Sequence, residues 1–417
     1  MKGSRVELEG YAAARACVIL FVSSAFVSYV YVLITGTYNG DFYGVPEALG
    51  FFGQTGMLAL ALLPYAIGWH LYRYFKAKRP RQTIPIPHRR VTIVFFVVVI
   101  WFIVLVIKYD VGVLGQALYD APALIKPLIQ ISNRINPFYL GVLFILTHQG
   151  SRKVLWLGIA LLIALGILRA GLGVFLYVSL ALLIRNYQHI AHYVRHHRLQ
   201  ILVVALVFPT IVGQLYSFRG KLRDDGSAEI VMSATQIVAA RLVGRLSSFS
   251  NGALVTQETA YFKSEVNRLD PFYFEEQAFG GVFGVAFIPQ VTPERMLVNI
   301  YGGDYFDVSF MVGLPGNLYL ALLISPLIFI LNVVIVLLMS VAVFVLSRKL
   351  RTSMANEFAL LLLLYPLTSG VGNEFSSLIA ALLSFCILFA LLAIRVFPRT
   401  NAARRSRQFQ IRASAPD

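Results

Sequence analysis

Charged residues and cysteines are both scarce in this sequence. Asp, Glu, Lys and Arg make up 13% of the 417 residues, whereas a soluble domain carries about 25%. This scarcity, together with a hydrophobic fraction of 58%, excludes water as the solvent of most of the surface. The two cysteines, Cys17 and Cys386, both lie inside apolar runs, so a disulfide framework and a thiolate metal site are excluded as well.

Several motifs of soluble enzymes and of transporters are also missing. The sequence has no Walker motif, no Gly-rich nucleotide fingerprint and no Asp-x-Asp, which disfavours chemistry on ATP or on a soluble nucleotide sugar. It has no clear internal repeat, which disfavours a transporter built from symmetric halves. The first apolar run is too long for a cleavable signal peptide and lacks a small-residue cleavage site, so we expect an uncleaved anchor.

Long apolar runs are what the sequence has instead. They include Ala16 to Thr35, Met57 to Trp69, Ile93 to Ile107 and Leu155 to Leu168. A helix needs about 20 apolar residues to cross the hydrocarbon core of a bilayer. The pattern therefore predicts an all-α polytopic membrane protein with about ten transmembrane helices.

These predicted helices divide the chain into four parts. Residues 1–216 hold helices 1 to 7, residues 217–306 form one large extracytoplasmic loop, residues 307–396 hold helices 8 to 10, and residues 397–417 form a basic tail. The segment 307–346 is too long for one straight span. We therefore expect an interfacial or re-entrant piece before helix 8.

The distribution of basic residues orients this topology. The net charge is +16, and Lys and Arg concentrate in segments 73–90, 348–351 and 395–412, which would all lie on one side of the membrane. This positive-inside pattern places both termini in the cytoplasm and needs no nucleic-acid partner to explain it. Four histidines on the same side have helical spacing, but interleaved arginines would repel a cation, so we expect neither a metal site nor a cofactor. These histidines are His189, His192, His196 and His197.

Two arginines in the large loop are candidate ligands of a diphosphate. Arg241 and Arg245 are four residues apart in a stretch of helical pattern, so both guanidinium groups would share one helix face. Two such forks suit a diphosphate, although an ordinary solvated face has the same pattern. The loop as a whole mixes arginines, carboxylates and aromatic residues, which suits a charged, lipid-borne substrate. The alternative is a folded cap without chemistry.

Three further candidates lie at the predicted outer surface. Arg169 follows an apolar helix, where a cation costs several kcal/mol unless it snorkels to the interface or faces a cavity. Glu374 lies in the short turn before the last helix, where apolar surroundings favour a general base but also fit an interfacial carboxylate with access to water. Asp304, near the end of the large loop, is a rival carboxylate.

With these features, the chain resembles the O-antigen polymerases, the oligosaccharide repeat-unit polymerases of the bacterial envelope. The likeness covers roughly residues 160–320 and includes the N-in/C-in topology with one large periplasmic loop. Thr292 stands where the family usually has an aromatic residue. The local motifs are Ile288-Pro289 followed by Pro293-Glu294-Arg295, Tyr301-Gly302-Gly303-Asp304-Tyr305-Phe306 leading into Gly313, Arg169-Ala170, and the spacing from Arg241 to Gly252.

The resemblance implies a metal-independent glycosyltransferase of the bacterial inner membrane with a periplasmic active face. Its substrates would be undecaprenyl-diphosphate-linked glycans in the lipid bilayer, and a chain-length regulator would be a partner protein. Glu374 or Asp304 would deprotonate the acceptor hydroxyl, and Tyr301 and Tyr305 would bind glycan. Because the leaving group is a diphosphate, its charge would be neutralised by arginines. These are Arg169, Arg241, Arg245 and Arg295.

Three other functions stay open on the sequence. An O-antigen ligase shares the architecture and the donor, but such ligases depend on a loop histidine, and residues 217–306 contain none. A flippase or transporter of lipid-linked glycans would carry charges through its helices, and here the helix interiors are nearly uncharged. A non-enzymatic assembly or length-control protein would tolerate the loss of the loop arginines.

Overall fold

The structure is a computed structural model in which helices dominate. It describes residues 2–78, 83–85, 88–112, 121–169, 171, 173–200, 202–203, 207, 210–211, 213–214, 243–244, 246–283, 292–301 and 312–393. The helices up to the large loop are α1 (Lys2–Thr35), α2 (Gly50–Ala77), α3 (His88–Tyr109), α4 (Lys126–Asn133), α5 (Pro137–Thr147), α6 (Arg152–Leu168), α7 (Gly173–Arg185) and α8 (Tyr187–His196).

The remaining helices belong to the large loop and to the C-terminal half. They are α9 (Phe249–Gln257), α10 (Thr259–Ser264), α11 (Tyr273–Phe283), α12 (Pro293–Tyr301), α13 (Gly313–Ile324), α14 (Pro326–Lys349), α15 (Ala355–Ser369) and α16 (Gly372–Ala393). Two short strands, β1 (Ile84–Pro85) and β2 (Leu350–Arg351), pair in parallel. Two 3₁₀ turns span Gly40–Phe42 and Val266–Arg268.

Five helices in the described part of the chain are long and apolar enough to cross a membrane. They are Gly10–Thr35 within α1, together with α2, α3, α14 and α16. Three shorter apolar helices are α5, α7 and α13. The structure confirms an all-α fold with helices of membrane-spanning length. The apolar pattern predicts helix 7 over about 199–216, and half of that segment lies outside the described residues.

Helix α5 is shorter than a transmembrane span. Its 11 residues measure about 16 Å at 1.5 Å per residue, roughly half the hydrocarbon core. Asn136 sets its start, because the side chain accepts hydrogen bonds from the backbone N–H groups of Phe138 (2.9 Å) and Tyr139 (3.3 Å). Pro137 at the first helical position suits the same start.

The segment before the long C-terminal span forms two helices. Ser325 is extended (φ −165°, ψ 141°) between α13 and α14 and caps the backbone N–H of Leu327 at 3.2 Å. Pro326 then begins α14, a position where its missing N–H leaves no bond unmade. A separate helix therefore precedes the span.

One end of the bundle gathers basic residues, and we call residues 76–78, 84–85 and 348–357 at that end the basic end. Lys76 Nζ lies 2.5 Å from Glu357 Oε1, which joins the end of α2 to the start of α15. The strand pair joins 84–85 to 350–351, and Arg348 donates to the carbonyl of Lys78. The helix termini that the sequence assigned to one side thus meet at one end.

The opposite end is covered by helices α9 to α13, and we call it the capped end. Helix α15 ends there at Gly370, which is left-handed (φ 65°). A Cβ built on Gly370 would lie 2.2 Å from the backbone N of Leu314, so only glycine fits between α15 and α13. A second apolar core, which includes Phe42, Phe249 and Leu254, fills this end.

Candidate functional site

Arg169 lies at the capped end, immediately after α6. Its backbone N–H bonds to the carbonyl of Leu165 at 3.1 Å, and its guanidinium carbon lies 4.7 Å and 5.9 Å from the ring centroids of Phe102 and Phe138. Its Nε is buried and has no hydrogen-bond partner among the described residues. Aromatic faces offset part of the cost of burying the cation, and they leave the Nε–H group available for an anion.

Glu374 lies at the same end, in the first turn of α16. Its backbone N–H bonds to the carbonyl of Val371 at 3.1 Å, and its side chain is half-buried. The carboxylate acts electrostatically on the phenols of Tyr139 and Tyr177, whose rings lie 5.6 Å apart. The helix N-terminus favours a negative charge at this position.

The structure brings Arg169 and Glu374 to one element, the first turn of α5. Arg169 contacts Phe138, and Glu374 is within electrostatic range of the next residue, Tyr139. Consecutive helical residues point about 100° apart, so the cation and the carboxylate approach different sides of this turn. We call Arg169, Glu374, Tyr139 and Tyr177 the α5 site.

Helix α11 of the large loop covers the start of α16 beside this site. A Cβ built on Gly372 would lie 2.5 Å from the carbonyl oxygen of Phe274, so the two backbones touch. Arg134, just before α5, donates from Nη1 to the carbonyls of Gly281 (2.8 Å) and Val282 (3.3 Å) near the end of α11. The sequence did not single out Arg134.

Two buried carboxylates on the loop helices were also missed, and we call Glu275 and Glu294 the buried acid pair. They are 8% and 5% exposed, and their oxygens have no hydrogen-bond partner within the described ranges. Both act electrostatically on Tyr273, which donates to Asn317 Oδ1 at 2.6 Å. Burial raises the pKa of Glu294 and of Glu275 above the ordinary range.

Arg295 and Tyr301 lie on α12, at its two ends. Arg295 is exposed, next to buried Glu294, so its guanidinium is free to meet a ligand outside the cap. Tyr301 donates to Glu258, and its ring packs edge-on against Phe42 with centroids 6.0 Å apart. Burial, followed by the hydrogen bond to Glu258, raises the pKa of Tyr301. The hydroxyl of Tyr301 therefore holds α12 to its neighbours.

Four candidates from the sequence lie outside the described residues: Arg241, Arg245, Asp304 and Tyr305. The glycine of the Arg241 to Gly252 spacing is described, and it is buried where α9 crosses α13. A Cβ on Gly252 would lie 2.8 Å from Met57 Cε and 3.3 Å from the backbone N of Gly316. Close helix packing is thus sufficient to explain this glycine.

The α5 site combines a cation for an anionic ligand with a carboxylate that can accept a proton, at one end of a bundle of apolar helices. Over the described residues, no group of three or more His, Cys, Asp or Glu side chains is placed to hold a metal ion. No protein-family model, curated protein or solved structure matches the chain.

Proposed function

We propose that the protein is a membrane glycosyltransferase that polymerises undecaprenyl-diphosphate-linked oligosaccharide repeat units at the periplasmic face of the bacterial inner membrane. The observation that carries the proposal is that Arg169 and Glu374 approach the same helical turn, from different sides, at the α5 site. Arg169, whose Nε has no hydrogen-bond partner among the described residues, lies beside Phe102 and Phe138. Half-buried Glu374 is within electrostatic range of Tyr139 on the same helical turn as Phe138. Transfer from a lipid diphosphate to a hydroxyl needs these two kinds of group.

The proposed orientation follows from the two ends of the bundle. The basic end gathers Lys76, Arg348 and Arg351, so the positive-inside rule turns it toward the cytoplasm. The capped end, with the α5 site, then faces the periplasm. About ten spans with both termini in the cytoplasm complete this topology.

In the proposed reaction the acceptor hydroxyl oxygen bonds to the anomeric carbon of the donor glycan as the bond to the diphosphate breaks. Arg169 binds the departing diphosphate, assisted by loop arginines, and neutralises the charge that develops on it. The loop arginines are Arg241, Arg245 and Arg295. Glu374 takes the hydroxyl proton, with Asp304 as the rival base, while Tyr301 and Tyr305 contact the glycan.

Glu374 and the buried acid pair differ in how accessible their carboxylates are to a substrate. Glu374 is half-buried at a helix end, so a sugar hydroxyl can reach it. Glu275 and Glu294 are almost fully buried under the loop helices. A general base must come within hydrogen-bond reach of the proton that it removes, which favours Glu374 over the buried acid pair.

The test is gel analysis of surface polysaccharide in a gene-deletion strain carrying plasmid-borne variants. Wild type should restore a ladder of repeat units. Arg169→Gln, Arg241→Ala and Glu374→Gln should leave single repeat units at unchanged protein level, since loss of a base or a charge-stabilising group slows a reaction by about 10²- to 10⁴-fold. Arg268→Gln is the matched control, because Arg268 is an exposed loop arginine whose ion-pair partner among the described residues is nearby Glu265.

Each rival function predicts a different gel. Finished lipid-linked polymer that accumulates without reaching the surface would indicate a ligase. Repeat units trapped on the cytoplasmic side would indicate a flippase. A ladder that survives deletion of the gene would refute the proposal, and a ladder that survives both Arg169→Gln and Glu374→Gln would remove the α5 site from the reaction.

A further inference from the structure

A groove on the outer surface of the bundle lies near the basic end, between α1 and α2. It has a volume of about 310 Å³ and is lined by Tyr11, Arg15, Val18, Ile19 and Trp69. Tyr11 and Ile19 are 37% and 49% exposed, so the groove opens away from the bundle. It lies at the opposite end from the α5 site and has no part in the proposed reaction.

The depth of the groove matches the surface of a bilayer. The apolar run of α1 begins at Ala16, directly after Arg15. A long arginine side chain at the border of an apolar run brings its guanidinium to the level of lipid headgroups. Tyr11 and Trp69 are the residue types that favour this interfacial depth.

The groove contains a cation and aromatic rings. Among the described side chains, no acid pairs with this cation in place of an anionic ligand. Arg15 is exposed and makes no hydrogen bond or ion pair with a described residue. The Tyr11 and Trp69 rings lie 5.1 Å apart, and Trp69 stacks on Tyr72 with centroids 5.3 Å apart. Glu357, the nearby buried acid, is already bound by Lys76 and Tyr72.

Apolar side chains continue the groove toward the middle of the bilayer. Val18 and Ile19 line its floor, and Leu20 and Phe26 on the same helix are 39% and 46% exposed. A ligand that fits both parts carries an anion at one end and hydrocarbon at the other. A soluble peptide would cover the charged part but would have to bury its own polar backbone against the apolar part.

We propose that this groove binds an anionic phospholipid of the leaflet at the basic end, with its phosphate on Arg15 and its acyl chains along Val18 and Ile19. A guanidinium beside aromatic rings binds a phosphate at a membrane surface with about 1 kcal/mol per basic residue, which corresponds to roughly fivefold in affinity. The inference depends on the groove alone, so its test is independent of the proposed glycosyltransferase activity.

The test uses Trp69 as a fluorescent reporter of the lipid that occupies the groove. The chain has three tryptophans, so Trp101→Phe and Trp156→Phe together leave Trp69 as the only one. The full-length double variant is reconstituted into vesicles of phosphatidylcholine and phosphatidylglycerol in which one of the two lipids carries brominated acyl chains, and quenching is compared. Relative binding constants of the two lipids follow from the dependence of quenching on their ratio.

The expected result is about a fivefold preference for the anionic lipid at Trp69. Arg15→Gln should abolish this preference and Arg15→Lys should retain part of it. Arg152→Gln should leave it unchanged, because Arg152 is an exposed cation on α6 that does not line the groove. An unchanged melting temperature for each variant shows that the groove remains folded.

Two outcomes would overturn the inference. Equal quenching by the two brominated lipids would mean that Trp69 meets ordinary bulk lipid without a headgroup site. Absence of quenching by either lipid would mean that protein covers the groove, as in a second copy of the chain packed on α1 and α2. Retention of the anionic preference in Arg15→Gln would likewise refute the assigned role of that side chain.

Discussion

The buried acid pair predicts a specific dependence of stability on pH. Glu294 is 5% exposed and its pKa is raised by burial, which disfavours the ionised form in the folded protein. The perturbation is Glu294→Gln, which keeps the shape of the side chain and removes its charge change. Glu275→Gln is the parallel variant, since the pKa of Glu275 is raised for the same reason.

The sign follows from proton binding in the two states. With a raised pKa, the folded state holds a proton that the unfolded state has lost, so the stability contributed by Glu294 is complete below the unfolded pKa. It falls as pH rises from that value of about 4.5 toward the folded pKa. Each pH unit in this window lowers the free energy of unfolding by about 1.4 kcal/mol. For a chain of 417 residues that corresponds to about 1.6 °C in melting temperature.

The assay is thermal unfolding of purified protein in detergent at a fixed scan rate, from pH 4.5 to 8. The difference in melting temperature between Glu294→Gln and wild type should rise with pH by about 1.6 °C per unit within the window and level off above the folded pKa. A flat difference would mean that Glu294 titrates as in water. A difference that falls with pH would mean that a cation outside the described residues pairs with Glu294, and it would refute the reasoning.

Two further predictions concern packing and charge elsewhere. Gly370→Ala should destabilise by about 2 kcal/mol more than Gly36→Ala in chemical unfolding, because both have φ 65° but only Gly370 faces a backbone at 2.2 Å. Equal losses would show that backbone strain accounts for the whole effect. Glu357→Gln should cost about 3 kcal/mol because it leaves Lys76 unpaired in a mostly buried pair. Glu265→Gln, which breaks an exposed ion pair with Arg268, should destabilise the protein much less than Glu357→Gln. The reverse order would contradict this reasoning.

The helices of membrane-spanning length were predictable because hydropathy is a local property. The apolar run Met57 to Trp69 falls within α2 (Gly50–Ala77), and the run Ile93 to Ile107 falls within α3 (His88–Tyr109). Apolar composition indicates where such helices lie in the sequence, and basic residues indicate which helix termini lie on the same side. Helix α5 shows the limit, since an apolar run of suitable composition ends after 11 residues where Asn136 and the 148–151 turn cap it.

The candidate site was only partly predictable for a related reason. Glu374 and Arg169 were found because a charge between apolar segments is visible in the chain itself. Glu275 and Glu294 were missed because their burial results from α11 and α12 packing on the bundle, and a loop of mixed composition contains no local signal of that contact. Arg134 was missed likewise, since its partners are carbonyls 147 and 148 residues away in the chain.

A hydrogen-bonded path connects Tyr273, which lies beside the buried acid pair, to the turn that carries Glu374. Tyr273 donates to Asn317, and the Asn317 side-chain amide donates to the carbonyl of Gly370, four residues before Glu374. Asn317 is 1% exposed, so each partner loses its hydrogen bond without access to water when the amide is removed. Such unpaired buried groups cost about 1–3 kcal/mol each.

This path yields a prediction that a double-mutant cycle can test. Asn317→Ala and Tyr273→Phe should each destabilise the protein, but the double variant should lose at least about 1 kcal/mol less than the sum, because both remove the same hydrogen bond. Chemical unfolding of the four proteins measures the coupling, and additive losses would show that the Tyr273–Asn317 bond contributes nothing. If the path also holds Glu374 in place, Asn317→Ala should shorten the polysaccharide ladder while Tyr273→Phe, which leaves the amide bonded to Gly370, should shorten it less. Ladders of equal length in Asn317→Ala and Tyr273→Phe would indicate that Asn317 has only a structural role.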